Sequence, residues 1–388
     1  MRISGLRVTP VNIPLQAPLW WAGGRYPGTS KLVIELTTDA GLVGLGEAPS
    51  TGLHTAVTAL GERLAGLDPL DIAACEERCV PPWQIVQNTD DTTSVRAFGA
   101  IELALWDLRG KAWNAPLYQL LGGAVRREIA FTEYFGFRDG HETTPDAIVE
   151  YCLRMRETHG STYFEGKLAC ADPRREVAIV RQLREALGPE AILRLDANMQ
   201  YSLPTAQRLL AELEPFDIRN YEDPVATFEE LRVLRQHSSI PFSSHVPDIR
   251  RALALGVPDT FVTNFAGLGG IARAVRFIGA CEALGVGFWC YSGDAGIATA
   301  AYLHVSAAMP WITEPSQSLG RWQIADVIEN GPFRQTNNVI RVPEGPGLGV
   351  SLDRASLQRL HADFKERGPL DHFHDPAHPG IYRRLPLA

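Results

Sequence analysis

At 388 residues, with 45% hydrophobic and 21% charged side chains, the chain is long enough for a large barrel plus a smaller domain and too apolar for disorder. Its net charge of −8 is spread without long like-charged runs, which argues against a nucleic-acid surface. No 18 apolar residues run together and the opening MRISGLRVTPVNIPL lacks a signal-type apolar core, so no membrane span and a cytoplasmic location are expected. The six cysteines, Cys75, Cys79, Cys152, Cys170, Cys281 and Cys290, form no C-x-x-C pair and are expected to be reduced and buried.

In chain order, KLVIELTTDAGLVGLGEAP (31–49) reads as two strands joined at Asp39-Ala40-Gly41, residues that tolerate positive φ. From about Thr55 to Gly122 the apolar spacing becomes helical, with Gly122-Gly123 as the stop. After Arg126, apolar runs alternate with amphipathic segments, and strands are predicted at 129–137, 163–169, 192–198, 218–224, 240–245, 260–265, 287–292 and 311–315. Helices are expected to start at Asp172-Pro173, Ser202-Leu203-Pro204 and Asp223-Pro224-Val225, proline being tolerated in a first turn. Eight strands separated by helices predict an α/β fold, a (β/α)8-type TIM barrel behind an N-terminal α+β capping domain. The expected division is capping domain 1–125, barrel 126–320, and a C-terminal segment 321–388 that returns to the capping domain.

In such a barrel, chemistry sits at the carboxyl ends of the strands. Those ends are unusually polar: Glu165 and Lys167, Asp196 and Asn198, Glu222 and Asp223, His245, Asn264, Tyr291, and Glu314. Alternation puts Glu165 with Lys167, and Asp196 with Asn198, on shared faces. Carboxylates converging on one mouth repel unless a cation lies between them, and an oxygen-rich set with an imidazole at its edge suits Mg²⁺ or Mn²⁺. Asp223, next to Pro224, is read as a helix cap.

RLDAN, YEDP, TNFAGLGGI and GPGLGVSLD, in this order and spacing, resemble the mandelate racemase, muconate lactonizing enzyme and glucarate dehydratase branches of the enolase superfamily, with FTEYFGF and DAN pointing to the last. The resemblance implies Mg²⁺ (Mn²⁺ possible) held by Asp196, Glu222 and His245, with Lys167 as the second lysine of a Lys-x-Lys base motif whose first position is Glu165. The aspartate and histidine of the family's dyad fall on Asn264 and Tyr291. Glu314 is expected to close the eighth strand against the substrate, and Asn198 or Tyr291 to assist a departing hydroxyl.

In the family the lid lies at APLWWAGGRYPGTS (17–30), read here as a loop whose Trp20 and Trp21 shield the site and whose Arg25 pairs with a distal group of the substrate. Thr51, in Ser50-Thr51-Gly52, marks a second specificity loop. Without the dyad histidine one face lacks a strong base, so one-base chemistry is expected, although an ionised Glu165 opposes the lowered pKa that Lys167 needs. The leading expectation is a metal-dependent lyase that removes the α-proton of a hydroxy-carboxylate, in the manner of a sugar-acid dehydratase. Alternatives are an isomerase of the same superfamily and a catalytically silent acid-binding barrel. A small carboxylate is the expected partner, and relatives of this type imply a homo-oligomer.

Overall fold

Aromatic and β-branched residues draw the N-terminal chain into a three-stranded antiparallel sheet of β1 (Ile3–Trp21), β2 (Gly24–Thr38) and β3 (Val43–Ala48). The computed structural model describes residues 1–81, 92–168, 172–291 and 293–370. The β2–β3 turn falls at Asp39-Ala40-Gly41 as expected, with Gly41 at φ 77°. The long helix Thr93–Ala112 lies directly on β3, where a Cβ at Gly44 would come 2.2 Å from the Ala104 carbonyl, so only glycine permits this approach.

One expectation for this region is corrected. The lid is no separate loop: β1 runs on through Trp21, and β2 starts at Gly24 with Leu19 opposite Tyr26 and Trp20 opposite Arg25. Cross-strand pairing satisfies the backbone and sends Trp20 and Trp21 to opposite faces of the ribbon.

Strands β5 (Glu133–Gly136), β6 (Tyr163–Lys167), β7 (Ile192–Asp196), β8 (Ile218–Glu222), β9 (Phe242–Ser244), β10 (Thr260–Thr263) and β11 (Gly287–Cys290) follow β4 (Glu128–Ala130) and pair in parallel in sequence order. Helices between them bury one stripe each. In Pro173–Leu187 the stripe is Val177, Val180, Leu183 and Leu187, and the Asp172 carboxylate accepts the Arg174 N–H at 3.0 Å. Helices start at Pro173 and Leu203 as expected, but the third starts at Phe228, capped by the Thr227/Glu230 capping box rather than by Asp223. The predicted strand residue Ala169 and Cys170 lie outside the described residues, as does Ser292; the other five cysteines are buried and unpaired.

The eighth position departs from expectation. Residues 311–315 form no strand; the gap between β11 and β5 is closed further on, where Ser316 bridges Phe131, Thr132 N–H donates to the Ser316 carbonyl at 2.9 Å and Gln317 N–H donates to the Cys290 carbonyl at 3.0 Å. The chain then returns: β12 (Val339–Arg341) pairs with β4, and the helix Arg354–Arg367 lies on β1, where Asn12 donates to Asp363 at 2.8 Å. Buried Asp107 ties this return to the capping sheet by accepting the Leu45 and Leu348 N–H groups at 2.8 Å each. No helix among the described residues is long and apolar enough to cross a membrane.

His304, fully buried in the helix Gly296–Ala308, accepts the Tyr118 N–H at Nδ1 and faces the Leu348 carbonyl through Nε2 at 3.1 Å, so it carries its proton on Nε2. Burial pushes its pKa down to about 4. The unfolded chain therefore binds the extra proton first, and this stability is full above pH ~6.5 and lost as pH falls towards 4, on the order of 3 kcal/mol. In urea titrations across that range, a His304→Gln variant is expected to lack this component of the acid destabilisation.

Candidate active site

The mouth of the barrel is built where strands end in turns. β6 delivers Lys167, whose ammonium donates to Asp196 and, at 2.8 Å, to Asn198 Oδ1, and lies 5.8 Å from the Trp21 ring centroid. Asp196 closes β7, and its Oδ1 accepts the Asn198 N–H at 2.9 Å. Asn198 and Asp196 thus meet through a left-handed turn, with Asn198 at φ 47°, and not through strand alternation. Burial pulls the Lys167 pKa down, but Asp196, Glu222 and Glu165 outweigh it and hold the amine charged in the metal-free chain.

Glu165 lies one layer deeper and is spoken for. The Arg194 guanidinium binds its Oε2 at 2.5 and 3.2 Å, Thr132 Oγ donates to the same oxygen at 3.1 Å, and Gln317 Nε2 donates to Oε1 at 2.5 Å. Both members of the ion pair are 1% exposed. Arg194 thus matches part of the Glu165 charge, although Glu165 still favours the ammonium form of Lys167. Arg194 stands two residues before Asp196 on one predicted strand, so the alternation that aimed Asp196 inward also aimed Arg194, a signal present in ILRLDAN.

Glu222 closes β8 and accepts Gln317 Nε2 at 2.6 Å. Asp223 follows at φ 39° and is turned to His245, accepting its backbone N–H at 3.1 Å and pairing with its Nδ1. It is thus an orienting partner of His245. Ligand atoms of Glu222, Asp223 and His245 lie within 4.8 Å of one another. Asp196 stands beside this trio, engaged by Lys167 and Asn198. Burial, with repulsion from Asp196, Glu165 and Asp223, pushes Glu222 well above the usual carboxylate range. Several buried carboxylates facing one ammonium are the donor set of a hard divalent cation, and the residues fit one.

Tyr291 follows β11, across the mouth from β6; burial and the charges of Asp294, Asp196 and Glu222 push its phenol up, so it stays protonated. Trp20 donates to Asp139 at 2.5 Å, and Arg25 pairs with the other oxygen of Asp139 at 2.6 Å, so Arg25 anchors the ribbon to the loop after β5. Gly23 lies against Trp21, where an added Cβ would come 2.3 Å from the ring. Thr51 opens a one-turn helix after β3, capped by Ser50. Asn264 Oδ1 caps the short helix Phe265–Leu268 by accepting the Gly267 N–H at 2.6 Å.

Glu314 is not brought to the mouth. It binds Tyr163, the first residue of β6, and Arg219, near the start of β8, at the amino-terminal end of the barrel. The eighth strand position lies later than its apolar run suggested, and Gln317 occupies the place expected for Glu314. Nothing apolar in Ser316-Gln317-Ser318 marks that position, so Gln317 was missed.

The C-terminal domain of the enolase fold matches residues 147–356 as "Enolase C-terminal domain-like", and the mandelate racemase / muconate lactonizing enzyme N-terminal domain matches residues 3–122. The chain belongs to the enolase superfamily. Within it, a chloromuconate cycloisomerase of Pseudomonas putida is 28% identical over 93% of this chain and 99% of its own. A Streptomyces coelicolor relative named a probable glucarate dehydratase is 27% identical over 93% of this chain and 91% of its own. An enolase of Pseudomonas fluorescens Pf0-1, solved with bound magnesium, potassium and tartrate, superposes with a TM-score of 0.87 at 26% identity, covering 95% of this chain and 93% of that one.

Two outcomes are expected. Arg194→Met strands Glu165 as an uncompensated buried charge and lowers unfolding free energy by roughly 3–5 kcal/mol, whereas the Arg194→Met/Glu165→Leu double variant recovers most of it in urea titrations. Millimolar Mg²⁺ raises the melting temperature of the wild type, and Glu222→Gln removes that rise, as read by calorimetry.

Proposed function

We propose that this enolase-superfamily chain is a Mg²⁺-dependent lyase that takes the α-proton from a hydroxy-carboxylate and expels the β-hydroxyl, as a sugar-acid dehydratase does. The observation that carries this reading is the asymmetry of the mouth: an amine, Lys167, on one side, and a protonated phenol, Tyr291, on the other. Asp196, Glu222 and His245, with Asp223 orienting the imidazole, would hold the cation, which supplies positive charge opposite a substrate carboxylate as its α-carbon ionises. A neutral imidazole is a less preferred Mg²⁺ ligand than a carboxylate, which leaves room for Mn²⁺.

The chain's own residues do the rest. Lys167, as the free amine, accepts the α-proton, and Asn198 keeps its Nζ in place. Charge at Asp196 and Glu222 that a cation neutralises no longer favours the ammonium form. Tyr291 gives its proton to the departing oxygen, so the hydroxyl leaves as water and the C–O electron pair goes with it. The Trp21 ring, backed by Gly23, covers one side of the amine. An isomerase is the second reading, favoured by the cycloisomerase that aligns along nearly its whole length.

The test is deuterium wash-in at the α-carbon in D₂O with Mg²⁺, across aldonic and aldaric acids including glucarate and tartrate and a set of muconates. For the responding acid, Lys167→Met is expected to lose wash-in and product formation by ~10²-fold or more. Tyr291→Phe is expected to keep wash-in and lose elimination. A product isomeric with the acid would decide for the isomerase, and a wild type that binds Mg²⁺ but exchanges no acid would leave a silent barrel.

A further inference from the structure

Directly behind Tyr291 lies a buried polar cluster that the chemistry above does not use. Lys31, on β2 of the capping domain, reaches the barrel loop that follows β11 and pairs with Asp294 at 2.7 Å; the two side chains are 5% and 3% exposed. The other Asp294 oxygen accepts the Tyr302 hydroxyl, and the Asp294 carbonyl accepts Gln323 Nε2 at 3.1 Å. One strand over, Glu47 on β3 accepts the N–H groups of Ala295 and Ala298 at 2.7 and 2.9 Å and so caps the helix Gly296–Ala308 from the capping domain. At Gly293, between Tyr291 and Asp294, the Tyr291 hydroxyl and that of Tyr26 from β2 both come within 3.6 Å of where a Cβ would stand. Neighbouring strands of the capping sheet, β2 through Lys31 and β3 through Glu47, therefore hold the chain just C-terminal to Tyr291, at Asp294, Ala295 and Ala298.

We infer that Lys31 and Asp294 are positioning residues for Tyr291, making delivery of its proton depend on the capping domain being seated on the barrel. Neither residue touches the reacting atoms; each acts by fixing Gly293 and Asp294, against which the Tyr291 hydroxyl lies. A buried ion pair is a poor source of net stability, because desolvating both charges offsets most of their attraction, whereas its geometric demands fix the relative placement of the two elements it joins. Lys167, by contrast, is placed by hydrogen bonds to Asp196 and Asn198 and by the Trp21 ring. The hydrogen bonds that hold the base come from the barrel, with only the Trp21 ring contributed by the capping ribbon, so loosening Lys31–Asp294 impairs the second half of the reaction more than the first.

The inference rests on the lyase reading, and one measurement separates them. For the acid of the panel that responds, the ratio of deuterium washed into recovered acid to product formed is measured for the wild type and for Lys31→Met, Lys31→Arg and Asp294→Asn, with Mg²⁺. Lys31→Met and Asp294→Asn are expected to raise that ratio by ~10-fold or more while wash-in persists, and Lys31→Arg, which keeps the charge, to restore it partly. Partial unfolding would lower wash-in and product together and leave the ratio unchanged, so a variant that merely folds poorly is recognised. Asp294→Asn retains an acceptor for Tyr302 and serves if Lys31→Met does not fold. An unchanged ratio in both variants overturns the positioning role and leaves the lyase reading standing. A wild type that exchanges acid without eliminating water overturns the lyase reading, and this inference falls with it.

Discussion

The structure is organised around a problem of buried charge. Asp196, Glu222 and Asp223 lie at the top of one sheet with Glu165 one layer below, each 3% exposed or less. In a low-dielectric interior such a group cannot stay ionised without partners. Arg194 takes Glu165, Lys167 takes Asp196, and the single amide of Gln317 bridges Glu165 to Glu222. What is left over is Glu222 with Asp223, beside an imidazole that Asp223 itself holds. Negative charge therefore exceeds positive at one place, the mouth, and the excess is what a divalent cation would neutralise. Compensation in the layer below and shortage in the layer above are two halves of one arrangement.

Backbone conformation concentrates that shortage. Asn198, Met199 and Asp223 all have positive φ without being glycine, a conformation that costs of order 1 kcal/mol or more per residue and persists only where surrounding contacts enforce it. Here the contacts are visible: the Met199 N–H donates to the Asp223 carbonyl at 2.8 Å, and the Asp223 N–H donates to the Ser243 carbonyl at 2.9 Å. The turns after β7 and β8 are thus stitched to each other and to β9. The strain turns Asp223 away from helix capping, the role its place before Pro224 suggested, and towards His245.

Most of the barrel was legible because strands buried on both faces are short apolar runs, and the seven that formed were marked by such runs. The site was legible where polar residues interrupt them, as at Lys167, Asp196, Glu222 and His245. It was illegible where the determining feature is a long-range partner. That Glu165 is neutralised depends on Arg194, Thr132 and Gln317 from three other segments, and no local pattern announces the last of these. The misplacement of Glu314 has the same origin: Trp311 and Ile312 imitate a strand, but the backbone pairs with Phe131 only from Ser316 onward. The glycines of the lid suggest a flexible loop, whereas pairing of Trp20 with Arg25 makes it a ribbon.

The proposed lyase reading and an isomerase make opposite demands on Tyr291. Interconverting two stereoisomers at the α-carbon requires a group on each face that removes a proton in one direction and returns it in the other. A phenol of ordinary acidity is ionised to about one part in a thousand at pH 7, and burial together with the charge of Asp294 pushes Tyr291 further from ionisation. As a base it would operate from a vanishing fraction of molecules; as an acid it is almost wholly in its working form. An oxygen leaving group is the natural recipient of that proton, since it gains basicity as its bond to carbon breaks, whereas a carbon acceptor offers no such matching. On the proposed assignment of Tyr291 to the acid role, a phenol at that place favours loss of a hydroxyl over racemisation through the protonation state of one side chain.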